Sequence, residues 1–259
     1  MTDFDSPADT PAAHRWARLW AQVADGAAGR GDPVDLDALC RAAAGQLQVS
    51  AVALSVPSSG LGAEMIAGYG RLGRVAEELQ VTIGEGPSLE TLASGRPLLI
   101  GDLAAAESQV RWPLFGPAGV AVGVCSLCVV PIRIGAARFG VLAAYLDRPG
   151  GLDPDMLADA IGYGAIALEL LLDRLDERVA AGQGLLDGEG SDYEPDRRGR
   201  RPLEDHPEIH QATGMIAVQL GVDMPTALLR LRARAFTEAR LLSELAADVV
   251  SRAVRFDDS

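Results

Sequence analysis

Residues 209–236 read IHQATGMIAVQLGVDMPTALLRLRARAF. Ile209, Ala212, Ile216 and Leu220 recur at three- and four-residue steps, the stripe of an amphipathic helix over about 207–220. Gly221 supplies its stop. Asp223 is placed to cap a second helix, whose first turn tolerates Pro225. Ala227, Leu228, Leu231 and Ala235 form the inward stripe of that helix, and Leu245, Ala246, Val249 and Val250 repeat the pattern over 242–254. Helices this short do not hold alone in water, so the three must close into one small bundle. The second helix carries Arg230, Arg232 and Arg234, with Arg240 close behind. Arg230 and Arg234 lie at i,i+4 and share a helix face, and a guanidinium makes paired, charge-assisted bonds to phosphate. The competing reading is a solvated helix face whose arginines pair with Glu238 or Glu244.

The chain around this hairpin is acidic. Its 259 residues carry a net charge of −13 with 48% apolar residues, so any nucleic-acid contact must come from a local patch. All 23 basic residues are arginine. That excludes Schiff-base chemistry, lysine phosphate clamps and a Walker A loop. Three cysteines, Cys40, Cys125 and Cys128, argue against a secreted disulfide framework. The start, MTDFDSPADT, lacks the cationic and apolar regions of a signal peptide. No apolar run approaches the roughly 18 residues a membrane span needs. A cytoplasmic protein without a membrane partner is the expectation.

Upstream of the hairpin the periodicity changes twice. Residues 1–13 are rich in Asp, Pro and Thr and read as a frayed N-terminus. Trp16 and Trp20 share one helix face, and Asp35 can cap a helix striped with Leu36, Leu39, Ala43 and Leu47. Short β-like runs follow: VSAVALSV (49–56), AEMIAGYG (63–70), ELQVTIGEG (78–86), RPLLIGDL (96–103), VCSLCVVPIRIG (124–135) and ARFGVLAAYLDR (137–148). A helix in SLETLAS, with Pro87 at its first turn, interrupts them. Residues 152–180 return to helical spacing, long enough to outrun the domain and pair with a second copy. The next stretch is rich in Gly, Asp, Arg and Pro and reads as a linker, with RRGRR (197–201) as the one dense basic run.

Catalytic patterns are missing. No GxSxG elbow, HExxH or acid/base pair is recognisable, so no enzyme activity is expected. Cys125 and Cys128 lie three apart in an apolar run with no second cysteine pair, which favours inert buried thiols over a metal site. Redox sensing through them is the minor alternative. Gly84, Glu85, Gly86 and Pro87 form a tight turn before a helix, and its amides could meet an anion. Arg111 and Trp112, before Pro113, read as a loop over a sensor pocket.

Two family resemblances join these observations. IHQATGMI, GVDMPTALLRLRARAF and LSELAADVVSRAVRF make residues 204–259 resemble the ANTAR domain of bacterial antitermination regulators. That family binds paired RNA stem-loops in mRNA leaders through a three-helix domain and prevents terminator formation. Ala212, Gly214, Met215, Ala227, Leu231, Ala235 and Ala246 match its packing positions. Where the family usually carries lysine, this chain has Thr213, which leaves Arg230, Arg232, Arg234 and Arg240 as the cations of an RNA contact. GEGPSLETLASGRPLLIGDL, RWPLFGPAGVAVGVCSLCVVPIRIG and FGVLAAYLDRPGGLD make the earlier region resemble a GAF domain of the kind fused to ANTAR. GAF domains bind small molecules or chromophores, or dimerise, so the resemblance names no cofactor. It makes Gly84, Glu85, Arg111 and Trp112 candidates to line a ligand pocket. Many relatives have a cysteine after the turn proline; here it is Ser88.

The expected organisation is therefore α+β. A GAF-like sensor with a central antiparallel sheet flanked by helices spans 14–176, a flexible linker 177–203, and an ANTAR-like bundle 204–259. The expected role is signal-responsive RNA binding by a homodimer, with a possible small-molecule ligand. The alternative is a tail that serves only dimerisation or protein interaction.

Overall fold

The computed structural model describes residues 11–58, 62–180, 207–238 and 240–256. Helices α1 (Pro11–Ala28) and α2 (Leu36–Gln46) precede the hairpin β1 (Ala51–Ser58) and β2 (Gly62–Tyr69). Helices α3 (Arg71–Ile83) and α4 (Pro87–Ser94) lead to β3 (Leu98–Ile100). Next come α5 (Ala106–Arg111), α6 (Phe115–Ala121) and the hairpin β4 (Ser126–Ile134) and β5 (Ala137–Leu146). The long α7 (Pro154–Ala180) closes the first domain, and α8 (Pro207–Leu220), α9 (Met224–Thr237) and α10 (Leu242–Val250) form the tail.

The strands make one five-stranded sheet in the order β2-β1-β5-β4-β3, with each neighbouring pair antiparallel. Its central strands are apolar on both faces because both faces are covered. Val52 and Leu54, Leu142 and Ala144, and Cys128 and Val130 point to a core shared with α1, α2 and α7. The alternate residues, Ala51 and Ala53, Val141 and Ala143, and Leu127 and Val129, point to a second core under α3, α4 and α6. The period-two side-chain alternation thus builds a three-layer helix–sheet–helix domain.

Polar contacts fix the outer layer. Asp35 accepts the Ala38 N–H at 2.8 Å and caps α2. Asp159 of α7, largely buried, takes Arg18 at 2.7 Å and Arg15 at 3.2 Å and so ties α1 to α7. Trp16 and Trp20 stack with ring centroids 5.9 Å apart.

Two local expectations are corrected. ELQVTIGEG is not extended: its first six residues are the end of α3 and the rest its closing turn. Gly73, Ala76, Glu77 and Gln80 bury at helical spacing, and that packing overrides the β-branched composition of Val81, Thr82 and Ile83. Gly84, at φ +80, ends the helix in the left-handed conformation. The segment around Arg111 and Trp112 is not an open loop either, since α5 and α6 occupy it. Helix α7 continues to Ala180, past the expected start of the linker; residues 181–206, with RRGRR, and residues 1–10 lie outside the described residues.

The tail is a separate three-helix core of Ile209, Ala212, Ile216, Leu231, Leu245 and their neighbours. Asp223 caps α9 by accepting the Thr226 N–H at 2.9 Å. The bundle docks on the outer face of α3. Val81 enters the tail core, the Leu242 N–H donates to the Thr82 hydroxyl at 3.2 Å, and the Ser243 hydroxyl donates to Glu78.

Gly70 is where the sheet turns into α3, at φ +84. A Cβ there would stand 2.6 Å from the Ser50 carbonyl and 2.8 Å from the Ala51 Cβ. Gly70→Ala should therefore lower unfolding free energy by about 2 kcal/mol or more, read from denaturant melts.

Candidate nucleic-acid interface and sensor interior

The arginines of α9 do not gather on one surface. Arg230 is exposed and makes no ion pair among the described residues. Arg234 donates to Glu238 at 2.7 Å and to the Arg255 carbonyl at 2.9 Å, and its guanidinium lies 5.0 Å over the Phe256 ring. Arg240 pairs with Asp248 at 2.6 Å and with Glu238 at 3.6 Å. The hydrogen bond from Arg234 holds the Glu238 carboxyl below its usual range. Arg232 turns toward the sensor domain, with a guanidinium nitrogen 3.7 Å from where a Gly84 Cβ would stand. Burial lowers its pKa. Thr213 is buried and donates its hydroxyl to the Ile209 carbonyl at 2.6 Å. The structure therefore does not bring the four arginines and Thr213 together on one surface. One of the five is solvent-facing and unpaired, two are tied to carboxylates, one is at the domain junction, and Thr213 closes a helical turn.

A different surface collects cations with no carboxylate among its described lining residues. Helix α8 and the segment after α10 enclose a groove of about 910 Å³. Arg252 and Arg255 supply two guanidiniums on one side, and Gln211 and Gln219 two amides on the other. Gly214 lies on the groove, and no atom comes within 4 Å of the place a Cβ would take. Val218, 84% exposed, lies along it with Met215 and Phe256. Arg252 holds a left-handed backbone at φ 63, and the Phe256 N–H donates to Gln219 at 2.9 Å, so the segment that carries the cations is pinned to α8. Sequence periodicity passed over these residues because Arg252, Arg255 and Phe256 follow the last helix. The available signal was SRAVRF, a basic stretch bounded by acidic residues on each side.

The sensor residues expected around a pocket are structural. Trp112 is buried in the core under α3, with Phe115. Arg111 pairs with Glu90 and lies 5.0 Å over the Trp112 ring. Glu85 accepts the Leu114 and Phe115 N–H groups at 2.7 and 2.8 Å, which ties the turn after α3 to the start of α6. Gly84 ends α3. The four residues therefore close this side of the domain and do not line one cavity.

Sequence reasoning missed the polar centre of that interior. Glu77 is 3% exposed. One carboxylate oxygen accepts from Ser88 at 2.6 Å, Tyr145 at 2.5 Å and Gln80 at 3.3 Å, and the other from Ser55 at 2.8 Å. Burial first, and then Glu77, push the Tyr145 hydroxyl well above its ordinary pKa, so it stays a donor. Four side chains from β1, α3, α4 and β5 converge on one carboxylate, a pattern no local periodicity reveals.

The chemistry elsewhere is quiet. Burial raises the Cys40 thiol, and pushes the Cys128 thiol up to about 12. No group of three metal-ligating side chains occurs among the described residues. No single helix among them is long and apolar enough to cross a membrane.

Comparison with known proteins fits this division of the chain. Residues 36–159 match the GAF domain family and residues 198–250 the ANTAR domain family. The chain is a GAF domain followed by an ANTAR domain. No curated protein matches the sequence. Solved structures similar to the GAF region include a domain of a putative two-component sensor histidine kinase from Sinorhizobium meliloti 1021. It is 15% identical at a TM-score of 0.45, covering 57% of this chain and 94% of that one. The GAF domain of an Acinetobacter phosphoenolpyruvate-protein phosphotransferase is 12% identical at a TM-score of 0.45, covering 68% of this chain and 99% of that one. A GAF domain region of a putative membrane protein from Geobacter sulfurreducens PCA is 16% identical at a TM-score of 0.42, covering 64% and 99%.

The burial of the thiols gives a direct test. In native buffer at pH 8, a thiol reagent should modify Cys125, which is half-buried, well before Cys40 and Cys128. The latter two stay protonated below their raised pKa values and should react only on unfolding. Mass mapping of the labelled cysteine checks the order.

Proposed function

We propose that this chain is a signal-responsive regulator of transcription antitermination, whose ANTAR tail grips RNA stem-loops in an mRNA leader through the α8 groove. The observation that carries this reading is the pair of guanidiniums, Arg252 and Arg255, on a groove whose described lining holds no carboxylate, in a molecule of net charge −13. Arg252 and Arg255 take backbone phosphates, and the amides of Gln211 and Gln219 reach base edges. Met215, Val218 and Phe256 offer apolar contact to bases splayed from a loop, the usual way single-stranded RNA is read. Arg230 adds a cation on α9, one turn before Arg234, whose guanidinium already stacks on Phe256. Arg232 and Thr213 lie outside this surface in the docked arrangement.

Paired stem-loops call for two tails, and linking two weak contacts raises avidity steeply. Trp16 is 38% exposed on α1 and Ile161 is 52% exposed on α7, apolar surface on helices that pack together. With the 27-residue length of α7, this supports a homodimer. The GAF domain would receive a small molecule or other signal. A cytoplasmic location follows from a nascent-RNA target. A second reading, a protein-interaction tail, is favoured by Leu229 at 65% and Phe236 at 47% exposure on α9.

Gel shifts with a leader RNA bearing two stem-loops test the assignment. Arg252→Ala with Arg255→Ala should weaken binding about tenfold or more and flatten the salt dependence by about two units of slope. Arg240→Ala, which breaks the Asp248 pair, should leave affinity within about twofold. Equal losses for both changes would move the contact off the groove.

A further inference from the structure

The residues expected to line a pocket in the GAF domain serve its packing and hydrogen bonding, which leaves open where a signal could enter. A cavity of about 390 Å³ lies between the two domains, at the low end of the roughly 300–1,000 Å³ typical of small-molecule sites. Its sensor wall comes from β2 and α3, with Asp37 from α2 and Arg174 from α7. Its tail wall is Ile209 and Leu242, two members of the bundle core. Glu77 also reaches this cavity, so an occupant would touch the helix turn that carries the buried polar centre.

The charges around the cavity are arranged unusually. Asp37 and Glu78 are half-buried, and each accepts from a neutral donor: the Gly68 N–H at 3.3 Å and the Ser243 hydroxyl, respectively. Arg74 and Arg174 line the same cavity, and among the described residues neither makes an ion pair. Apart from Glu77, whose oxygens already accept from buried donors, two carboxylates and two guanidiniums thus share one small space without meeting. Asp37, Glu78 and Arg174 are partly desolvated, and charges held apart in this way lack the compensation that a partner provides, while Arg74 is solvent-exposed. A molecule bearing one positive and one negative group at short separation would compensate both sets. The rest of the lining, Met65 and Val81 with Ile209 and Leu242, is apolar and suits a short aliphatic body.

We propose that the interdomain cavity binds a small zwitterion of the α-amino-acid class. Its ammonium faces Asp37 and Glu78 and its carboxylate faces Arg74 and Arg174. This deepens the sensing part of the proposed function by naming the site and the ligand class. Because Ile209 and Leu242 form one wall, the ligand has different contacts when the tail is docked and when it is not. It therefore shifts the docking equilibrium, which is the requirement for a signal to reach the tail.

Calorimetry on the full chain with each of the twenty common L-amino acids tests the site without any RNA. Putrescine and succinate, which carry only one sign of charge, are the controls. At least one amino acid should bind, the two controls should not, and Arg174→Ala and Asp37→Asn should each weaken binding about tenfold or more. Bound ligand should also change hydrogen exchange at the Leu242 amide, which donates to Thr82 across the junction. A variant that melts with the wild-type profile yet keeps full affinity overturns the assignment, as does the absence of binding by all twenty at millimolar concentration. Binding of succinate equal to that of every amino acid overturns the zwitterion class. If amino-acid binding holds while stem-loop RNA does not bind, the RNA reading fails and the ligand site stands.

Discussion

One buried carboxylate organises the sensor domain. Glu77 draws donors from β1, α3, α4 and β5, and so ties two helices to two neighbouring strands of the sheet. Apolar packing is non-directional, whereas four hydrogen bonds to two oxygens fix the rotation and height of α3 on the sheet. The chain of donors is also ordered. Gln80 donates to the Tyr145 hydroxyl at 3.0 Å, and Tyr145 donates onward to Glu77. Removing the carboxylate would orphan several buried donors at once, and each unsatisfied group costs about 1–3 kcal/mol.

The same logic governs the tail, with opposite sign. A bundle of three short helices has little apolar area, so it spends part of its charge on structure. Arg234 and Arg240 stitch α9 to the residues around α10 through Glu238, Asp248 and the Arg255 carbonyl. Those arginines cannot serve RNA without first giving up their partners. Arg252 and Arg255 sit beyond the last helix, and among the described residues no ion pair engages them. In the proposed reading their charge is available to a ligand. Acidic composition and RNA contact are compatible when the free cations are segregated in this manner.

Much of this architecture was legible in the sequence, and the exceptions have physical causes. The stripes of α8, α9 and α10 are read correctly because their apolar residues repeat at helical spacing over several turns. The strands β1, β4 and β5 are read because they are long and apolar. ELQVTIGEG reads as extended because Val81, Thr82 and Ile83 prefer strands in isolation, whereas packing of α3 between the sheet and the tail holds them helical. The arginines of the expected face are dispersed for a related reason. Spacing tells which residues share a helix face, but not which carboxylates from other turns come to meet them. Glu238 and Asp248 lie four and eight residues from their partners, one within reach of simple periodicity and one across a loop. The Glu77 centre was invisible because its donors lie up to 68 residues away.

Helix α3 joins the two halves of the molecule, and its two faces have different mechanical character. Its inner face is locked by Glu77 and Gln80 in a fully satisfied buried network. Its outer face gives the tail core a single sensor side chain, Val81, supplemented by the polar contacts of Thr82 and Glu78. Cavities lined by both domains flank this contact on either side. An interface with one apolar anchor and gaps at its edges resembles the separable interfaces between domains more than a continuous core. Glu77 and Glu78 are adjacent in sequence yet face the two environments, so a small rotation of α3 cannot satisfy one without disturbing the other. Movement between the domains is therefore expected at the outer face first, with α3 and the sheet moving as one body.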